Sequence, residues 1–288
     1  NDIVKAASKK QTYGFRLGGP IIKNKLFFFA NYERIKNEGA STGAVNLWKA
    51  TDEVNENGDG VSNQSQYITR VKRSDLDAVR NHLINQWGYD QGAYEGYAND
   101  NSEVTNSFLG RIDWNINKKN RLAVRYNQVE SSTPSLANGT SGAYPRSPSA
   151  FSRTGTINSM AFASTMYHTK NIVRSITAEL NSDISPRLSN QFLATYSRIQ
   201  ATRRSPSSRE FPMIDIGYAG DNLRGSSNYQ NYISAGYELF TYGNDVLNDN
   251  ISITNNLTFI TGKHTIVGGV SFETQKFGNQ YLRNGTSY

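Results

Sequence analysis

The chain has 288 residues, of which 36% are hydrophobic and 11% aromatic: lean for a conventional core and rich in strand-forming rings. It has no cysteine, which excludes a disulfide framework or a thiolate metal site. The formal charge of +7 comes from scattered Lys and Arg, densest at Lys118-Lys119 and Arg203-Arg204, so no nucleic-acid partner is expected.

No stretch approaches the ~20 apolar residues of a membrane helix. A transmembrane strand needs only about 9–11 residues, with every second one apolar. Residues 1 to 10 read as the end of a loop. Thr12 to Gly19 is a predicted strand with Tyr13, Phe15 and Leu17 on one face. Gly18, Gly19 and Pro20 predict a sharp bend, and Lys23-Asn24-Lys25 keeps the tip wet. Leu26 to Lys36 returns with Leu26, Phe28, Ala30 and Tyr32 on one face. Asn31 and Glu33 take the other, as do Phe27 and Phe29 near the turn.

A long polar loop is predicted over about 37–103, with a helix over Ser74 to Trp87. Ser74 is the expected cap, Asp75 and Asp77 favour the helix dipole, Val79 and Leu83 give a short apolar stripe, and Gly88 ends it. Ahead of the helix, Asn55-x-Asn57-x-Asp59-Gly60 resembles the start of a calcium loop, with oxygens at alternate positions and a Gly for the bend. Asn55 stands for the leading Asp and Gln66 for the closing Glu, so the competing reading is a plain Gly-rich turn. A structural Ca²⁺ held by Asn55, Asn57 and Asp59 is the only metal or cofactor expected.

Val104 to Asn117 alternates most cleanly. Val104, Phe108, Gly110, Ile112, Trp114 and Ile116 lie on one side, against Thr105, Ser107, Arg111, Asp113, Asn115 and Asn117. Trp and Ile opposite two charges suit a lipid side and a wet lumen. Lys118-Lys119-Asn120 turns the chain, and Arg121 to Ser131 returns. A second polar loop is predicted over about 132–156, with Ile157 to Thr169 unassigned. Asn171 to Ile184 is the next strand, Ser185-Pro186-Arg187 its turn, and Leu188 to Thr202 the return. Arg174 breaks the apolar face where a long cation can snorkel. A third loop covers about 203–245. Leu247 to Thr261 and His264 to Lys276 form the last hairpin around Gly262-Lys263, with Asn255 interrupting its apolar face.

The reading is an all-β chain, with about eight strands, four tight turns at one end and three long loops at the other. Such asymmetry suits an outer-membrane barrel with periplasmic turns and extracellular loops. Lys119, Pro186 and Lys263 are expected in the periplasm, and Asp59, Tyr144 and Asn228 outside. Arg111, Asp113, Glu179 and Glu273 fall on predicted inward faces, where contact with water or a plug is the expected role. Tyr32, Trp114, Tyr126 and Tyr196 are candidate girdle anchors. His82, His168 and His264 sit on different elements, with no metal or catalytic pairing. No nucleophile–base pair appears, so no enzyme is expected.

Four motifs occur in order along the chain. They are Leu17-Gly18-Gly19-Pro20-Ile21-Ile22-Lys23-Asn24-Lys25-Leu26-Phe27-Phe28-Phe29, Gly110-Arg111-Ile112-Asp113-Trp114-Asn115, Leu180-Asn181-Ser182, and Gly262-Lys263-His264-Thr265 leading to Gly268-Gly269. On these residues the chain resembles the TonB-dependent receptors of the bacterial outer membrane, in their Oar-like branch. The resemblance implies the early part of a plugged barrel of about 22 strands. Residues 1–288 would then be one partial barrel domain, with the plug, the TonB-contacting segment and the remaining strands lying elsewhere. It also implies energised import in a Gram-negative outer membrane. Partners would be membrane lipid, the receptor's own plug, the TonB complex and candidate surface or secreted proteins. The competing function is a structural or adhesive barrel without active transport. A soluble all-β carbohydrate-binding or hydrolytic protein is the third class. The loop rings Trp48, Tyr89, Tyr94, Tyr97, Tyr229 and Tyr232 are candidate contacts for a glycan or peptide.

Overall fold

A computed structural model describes residues 8–38, 47–97, 102–138, 153–218 and 231–281. In chain order it forms β1 (Lys9–Ile22), β2 (Leu26–Glu38), β3 (Lys49–Thr51), β4 (Ile68–Lys72), α1 (Arg73–Trp87), β5 (Glu103–Asn115), β6 (Asn120–Ser135), β7 (Met160–Ala161), β8 (Tyr167–Ser185), β9 (Leu188–Arg204), β10 (Ile214–Gly217), β11 (Asn231–Ala235), β12 (Asn244–Thr261) and β13 (His264–Tyr281). The eight long strands make one antiparallel sheet in the order β1-β2-β5-β6-β8-β9-β12-β13, each beside its chain neighbour among the long strands. This is the expected all-β meander.

The register lines up side chains across the whole sheet. One row of directly paired residues runs Gly19, Phe28, Ile112, Val124, Ala178, Ala194, Ile253, Phe272. The row nearer the turns runs Ile22, Leu26, Trp114, Leu122, Leu180, Phe192, Asn255, Val270. The row nearer the long loops runs Leu17, Ala30, Gly110, Tyr126, Ile176, Tyr196, Ile251, Thr274. Two residues further on, Phe15, Tyr32 and Phe108 give way to Gln128, Arg174, Arg198, Asp249 and Lys276. Trp114 and Phe108 are thus six positions apart on β5, roughly 20 Å at ~3.4 Å per residue. The band approaches the ~25 Å apolar belt of an outer-membrane barrel. Asn255, the polar exception, has its Oδ1 satisfied by Nδ2 of Asn190 at 2.9 Å.

Among the described residues, no buried hydrophobic residue lies in any of the eight long strands. Ile112, Trp114, Ile176, Ile253 and Phe272 are all exposed. A soluble monomer rarely leaves an apolar patch of this extent uncovered. The sheet is an apolar surface awaiting an apolar solvent.

The turns are short. Gly262, at φ 58°, opens the two-residue loop between Thr261 and His264. Asn117 Oδ1 accepts from the amides of Lys119 (2.8 Å) and Asn120 (2.9 Å), and its own amide donates to the Asn120 carbonyl at 3.4 Å, closing the β5–β6 turn. The first hairpin corrects the sequence reading. Gly18, Gly19 and Pro20 lie inside β1, which continues to Ile22 with a register shift between Pro20 and Ile22. The chain reverses instead at Asn24, whose φ of 60° an Asn tolerates. Pro20, with no amide proton to give, sits on the strand that ends the described sheet.

Several strands outrun their predicted ends. β6 carries on through Pro134 to Ser135, and β8 starts at Tyr167 rather than Asn171, because the two extensions pair with each other, Pro134 opposite His168. The second loop, expected from 132, therefore begins after Ser135. The helix also starts early. Its N-cap is Lys72, with no side-chain cap bond, and Ser74 lies inside the first turn. β4 runs into α1 without a connection, so no free position is left for a Ser cap. Asp75 is in the first turn as expected, while Asp77 lies beyond it and accepts from the Tyr94 hydroxyl at 2.9 Å. Gly88, at φ 58°, gives its amide to the Ile84 carbonyl and stops the helix.

The protein's hydrophobic core lies in the long loops. Ala50, Val71, Leu76 and Leu83 from the first pack with Met160 and Phe162 from the second and Tyr232, Ile233 and Ala235 from the third. β7 pairs in parallel with β11, which pairs with β10, so strand bonding also joins the second and third loops. The Arg70 amide donates to the Ile157 carbonyl at 2.7 Å, joining the first and second. The loops together form one folded cap.

Candidate functional site

Two surfaces are available for function: the polar face of the sheet and the cap. On the polar face, Arg111 gives both Nε and Nη2 to Asp113, at 2.8 and 2.7 Å. Arg125 lies directly opposite Arg111. Glu179 Oε1 accepts from Asn181 (3.0 Å) and Gln191 (2.9 Å), and Glu273 Oε1 from Asn250 (2.9 Å) and Gln275 (3.0 Å). Thr177 faces Thr195 at 3.1 Å, and Thr254 faces Ser271 at 3.1 Å. The four residues expected to point inward thus share one face, Arg111 and Asp113 as a pair and Glu179 and Glu273 each in its own three-residue hydrogen-bonded group. Phe27 and Phe29 lie on this face, opposite Asp113 and Arg111. So do Val129, Val173 and Ile199, an apolar strip nearer the loops that alternation alone did not single out.

The four candidate anchors all fall on the apolar face. Tyr32 donates to Asn106 (3.0 Å), Tyr126 to Gln128 (2.7 Å) and Tyr196 to Asp249 (2.8 Å), each reaching a polar residue nearer the loops. Trp114 marks the opposite margin. Ring bodies in the band with hydroxyls beyond its edge make the geometry of an interfacial girdle. Arg198 completes the loop-side margin by clasping Asp249 through Nε (2.6 Å) and Nη2 (2.9 Å).

In the cap, Asn55, Asn57 and Asp59 stand together in one turn. Asn55 Oδ1 accepts from the amides of Asn57 (3.0 Å) and Asp59 (2.9 Å). Asp59 accepts from Asn55 Nδ2 and from the Tyr218 hydroxyl. The Tyr218 contact holds the Asp59 carboxyl below its ordinary pKa, with Asn55 adding to the effect. The arrangement is an Asx turn tied to the third loop. His82 lies on α1, His168 on β8 and His264 on β13, and no group of three His, Cys, Asp or Glu able to hold a metal occurs among the described residues.

Most of the rings offered by the sequence as ligand contacts are structural. Trp48 is buried edge-on to Tyr67 at 5.4 Å, and Tyr89 is stacked on Phe211 at 4.1 Å. Tyr94 packs on Phe162, and Tyr232 is buried, with its hydroxyl donating to Asp75 (2.8 Å) and accepting from the Lys72 amide (2.9 Å). Burial, the larger cause, and that Asp75 contact push the Tyr232 hydroxyl above its ordinary pKa. Tyr97 stays half-buried at the end of its described segment, and Tyr144, Asn228 and Tyr229 lie outside the described residues.

The cap also buries charge. Arg153, 1% exposed, holds Asp215 with Nε (2.9 Å) and Nη2 (2.7 Å). Ser234 donates to the same carboxylate at 2.7 Å. Glu238, also 1% exposed, accepts from Thr241 (2.6 Å) and from the Phe240 amide (3.0 Å) through Oε2. Its Oε1 is buried with no donor among the described residues. Burial pushes its carboxyl above the usual range. Sequence reading passed over all four residues, since neither partner of a pair 62 positions apart is conspicuous alone.

A family model described as outer membrane beta barrel domain matches residues 2–287. Comparison with curated proteins gives no match. Among solved structures, the chain is similar to the outer membrane transporter YddB from Escherichia coli, with 8% identity and a TM-score of 0.49 over 94% of this chain and 25% of that one. It is similar to the toluene transporter TodX from Pseudomonas putida, with 10% identity and a TM-score of 0.27 over 93% of this chain and 56% of that one. It is also similar to the siderophore receptor PiuA from Acinetobacter baumannii, with 9% identity and a TM-score of 0.36 over 95% of this chain and 41% of that one. The chain thus spans from 25% to 56% of the length of these proteins.

Proposed function

The chain belongs to the outer membrane beta barrel domain family, and from that premise we propose that it is part of the wall of a TonB-dependent receptor-transporter of the Oar-like kind. Its place is the outer membrane of a Gram-negative bacterium. The observation that carries the reading is the two-sidedness of the sheet. One face has apolar rows crossing all eight strands, and the other holds Arg111, Arg125, Asp113, Glu179 and Glu273. A wall of this kind meets lipid on one side and a polar lumen on the other. A plug carried elsewhere in the receptor would fill that lumen, touching Phe27, Phe29 and the Val129–Val173–Ile199 strip. TonB would act on the plug and not on this wall. The cap would meet substrate, or a surface or secreted protein, from outside. The cap's own core also suits the second reading, an adhesive barrel without active transport, because a folded outer domain presents a fixed surface.

Two measurements test these readings. In intact cells, a membrane-impermeant thiol reagent should label Asp59→Cys and leave Lys119→Cys unlabelled. Labelling at position 119 and not at 59 would reverse the orientation. Energised import predicts that a strain lacking the full-length protein fails on a subset of the nutrients that a TonB-deficient strain cannot use. A growth defect outside that subset would favour the adhesive reading.

A further inference from the structure

On the apolar face, the row that holds Phe15, Tyr32 and Phe108 at the loop-side margin changes chemistry along its length. Past Gln128 it runs Arg174, Arg198, Asp249 and Lys276, directly paired across β8, β9, β12 and β13. Three cations stand there at the height of the girdle rings, against one carboxylate, and Arg198 clasps that carboxylate. Arg174 is exposed and makes no ion pair among the described residues. Lys276, also exposed, faces an Asp249 that is already held. The acids nearer the loops are committed as well: Lys170 binds Glu130 at 2.6 Å, and Arg204 approaches Asp245 at 3.5 Å. The turn-side margin of the same strands has no such arc. Beyond the Trp114 row the face continues as Asn120, Ser182, Asn190, Leu257 and Gly268, all uncharged.

A single arginine at a membrane margin is satisfied by snorkelling to water. This arc asks for more. Arg174 and Arg198 lie directly opposite one another on neighbouring strands, where like charges destabilise the pair. A phosphate between them turns that repulsion into charge-assisted hydrogen bonds of the kind a guanidinium favours. Lys276 is three strand spacings from Arg174, about 14 Å, which leaves room for a second anionic group. Directly below the arc lie Ile176, Tyr196 and Ile251, the start of the apolar rows. That continuity selects a lipid headgroup over a soluble anion. We infer that the arc binds a lipid headgroup bearing two phosphates, in the leaflet on the long-loop side. One phosphate sits at Arg174 and Arg198 and the second at Lys276, with the acyl chains lying along Ile176, Tyr196 and Ile251. The inference rests on the membrane placement of the sheet and is independent of transport.

The test titrates the full-length protein in dodecylmaltoside micelles with diphosphoryl lipid A, monophosphoryl lipid A and inorganic phosphate, and reads retained lipid by native mass spectrometry. The diphosphoryl form should bind saturably, and at least about tenfold more tightly than the monophosphoryl form, as one charge-assisted hydrogen bond allows. Arg174→Gln and Lys276→Gln should each weaken it by a similar factor. Both side chains are exposed, so both variants are expected to fold, and either one decides the matter if the other does not. Lys119→Gln, a cation in the β5–β6 turn at the opposite margin, should leave retention unchanged, and excess inorganic phosphate should not displace the lipid. Absence of saturable retention, equal retention of the two lipids, unchanged affinity in both arc variants, an equal loss in Lys119→Gln, or displacement by inorganic phosphate would each overturn the proposal. A full-length protein that stays folded and soluble without detergent would overturn the membrane reading and this proposal together. A micelle-bound protein indifferent to the phosphates overturns the proposal alone.

Discussion

Asp215→Ala is expected to open the cap while leaving the eight-stranded sheet in place. The substitution strands the Arg153 guanidinium, 1% exposed, without its carboxylate, and takes the acceptor from Ser234. Removing one partner of a buried ion pair costs about 3–5 kcal/mol. The damage should be local, because the sheet's strand pairing does not pass through Asp215. Amide exchange should rise in α1 and β11, and protease should cut between β9 and β12. The heat-modifiable electrophoretic mobility of the folded barrel should persist. Asp215→Asn keeps an acceptor and should fall between wild type and alanine. Unchanged exchange in Asp215→Ala would mean that the pair does not hold the cap.

Ile112→Lys should act on the sheet and spare the cap. Ile112 sits in the row that is apolar in every strand, between Phe28 and Val124. A Lys on the lipid face near the bilayer midplane costs about 2–4 kcal/mol. Assembly in liposomes should fall accordingly. Asp113→Asn, one residue along and on the other face, should leave assembly nearly intact. A lipid-soluble paramagnetic quencher separates lipid contact from mere burial. It should broaden a probe at position 112 and spare one at 113. Equal protection at both positions would mean that the apolar rows face something other than lipid.

The sheet was legible because each strand writes its two environments into neighbouring residues. Val104–Asn117 is the clearest case: Ile112 and Trp114 alternate with Arg111 and Asp113, and no distant partner is needed to read it. Strand ends were harder. Pro134 looked like a loop residue, yet it pairs with His168, a partner that local composition does not reveal. The cap was almost illegible. Only α1 announced itself, through Val79, Leu83 and Gly88, and even there Leu76 was passed over, although it stands three residues before Val79 on the same stripe and is fully buried. β7 has two residues and β11 has five, too short for a period to show. The loop tyrosines misled in the same way. Tyr89 looks like a ligand platform until Phe211 of the third loop stacks on it, and Tyr232 until Lys72 and Asp75 of the first loop engage its hydroxyl. The buried acid Glu238 carried no signal, since an isolated Glu in a polar loop is ordinary.

The shared core of the three loops also sets a clock on assembly. The bond between the Lys72 amide and the Tyr232 hydroxyl joins residues 160 positions apart. Contacts so distant in sequence form late, after the entropy of closing the intervening chain has been spent. Until Ile233 arrives, Leu76 and Phe162 have no complete core to enter. During synthesis and export the first two loops must therefore wait, with apolar side chains uncovered, while β5 to β9 find their places. Such an interval is when chains aggregate or recruit chaperones. The strands can pair hairpin by hairpin, but the cap closes in a single late step, locking together hairpins that were already laid down.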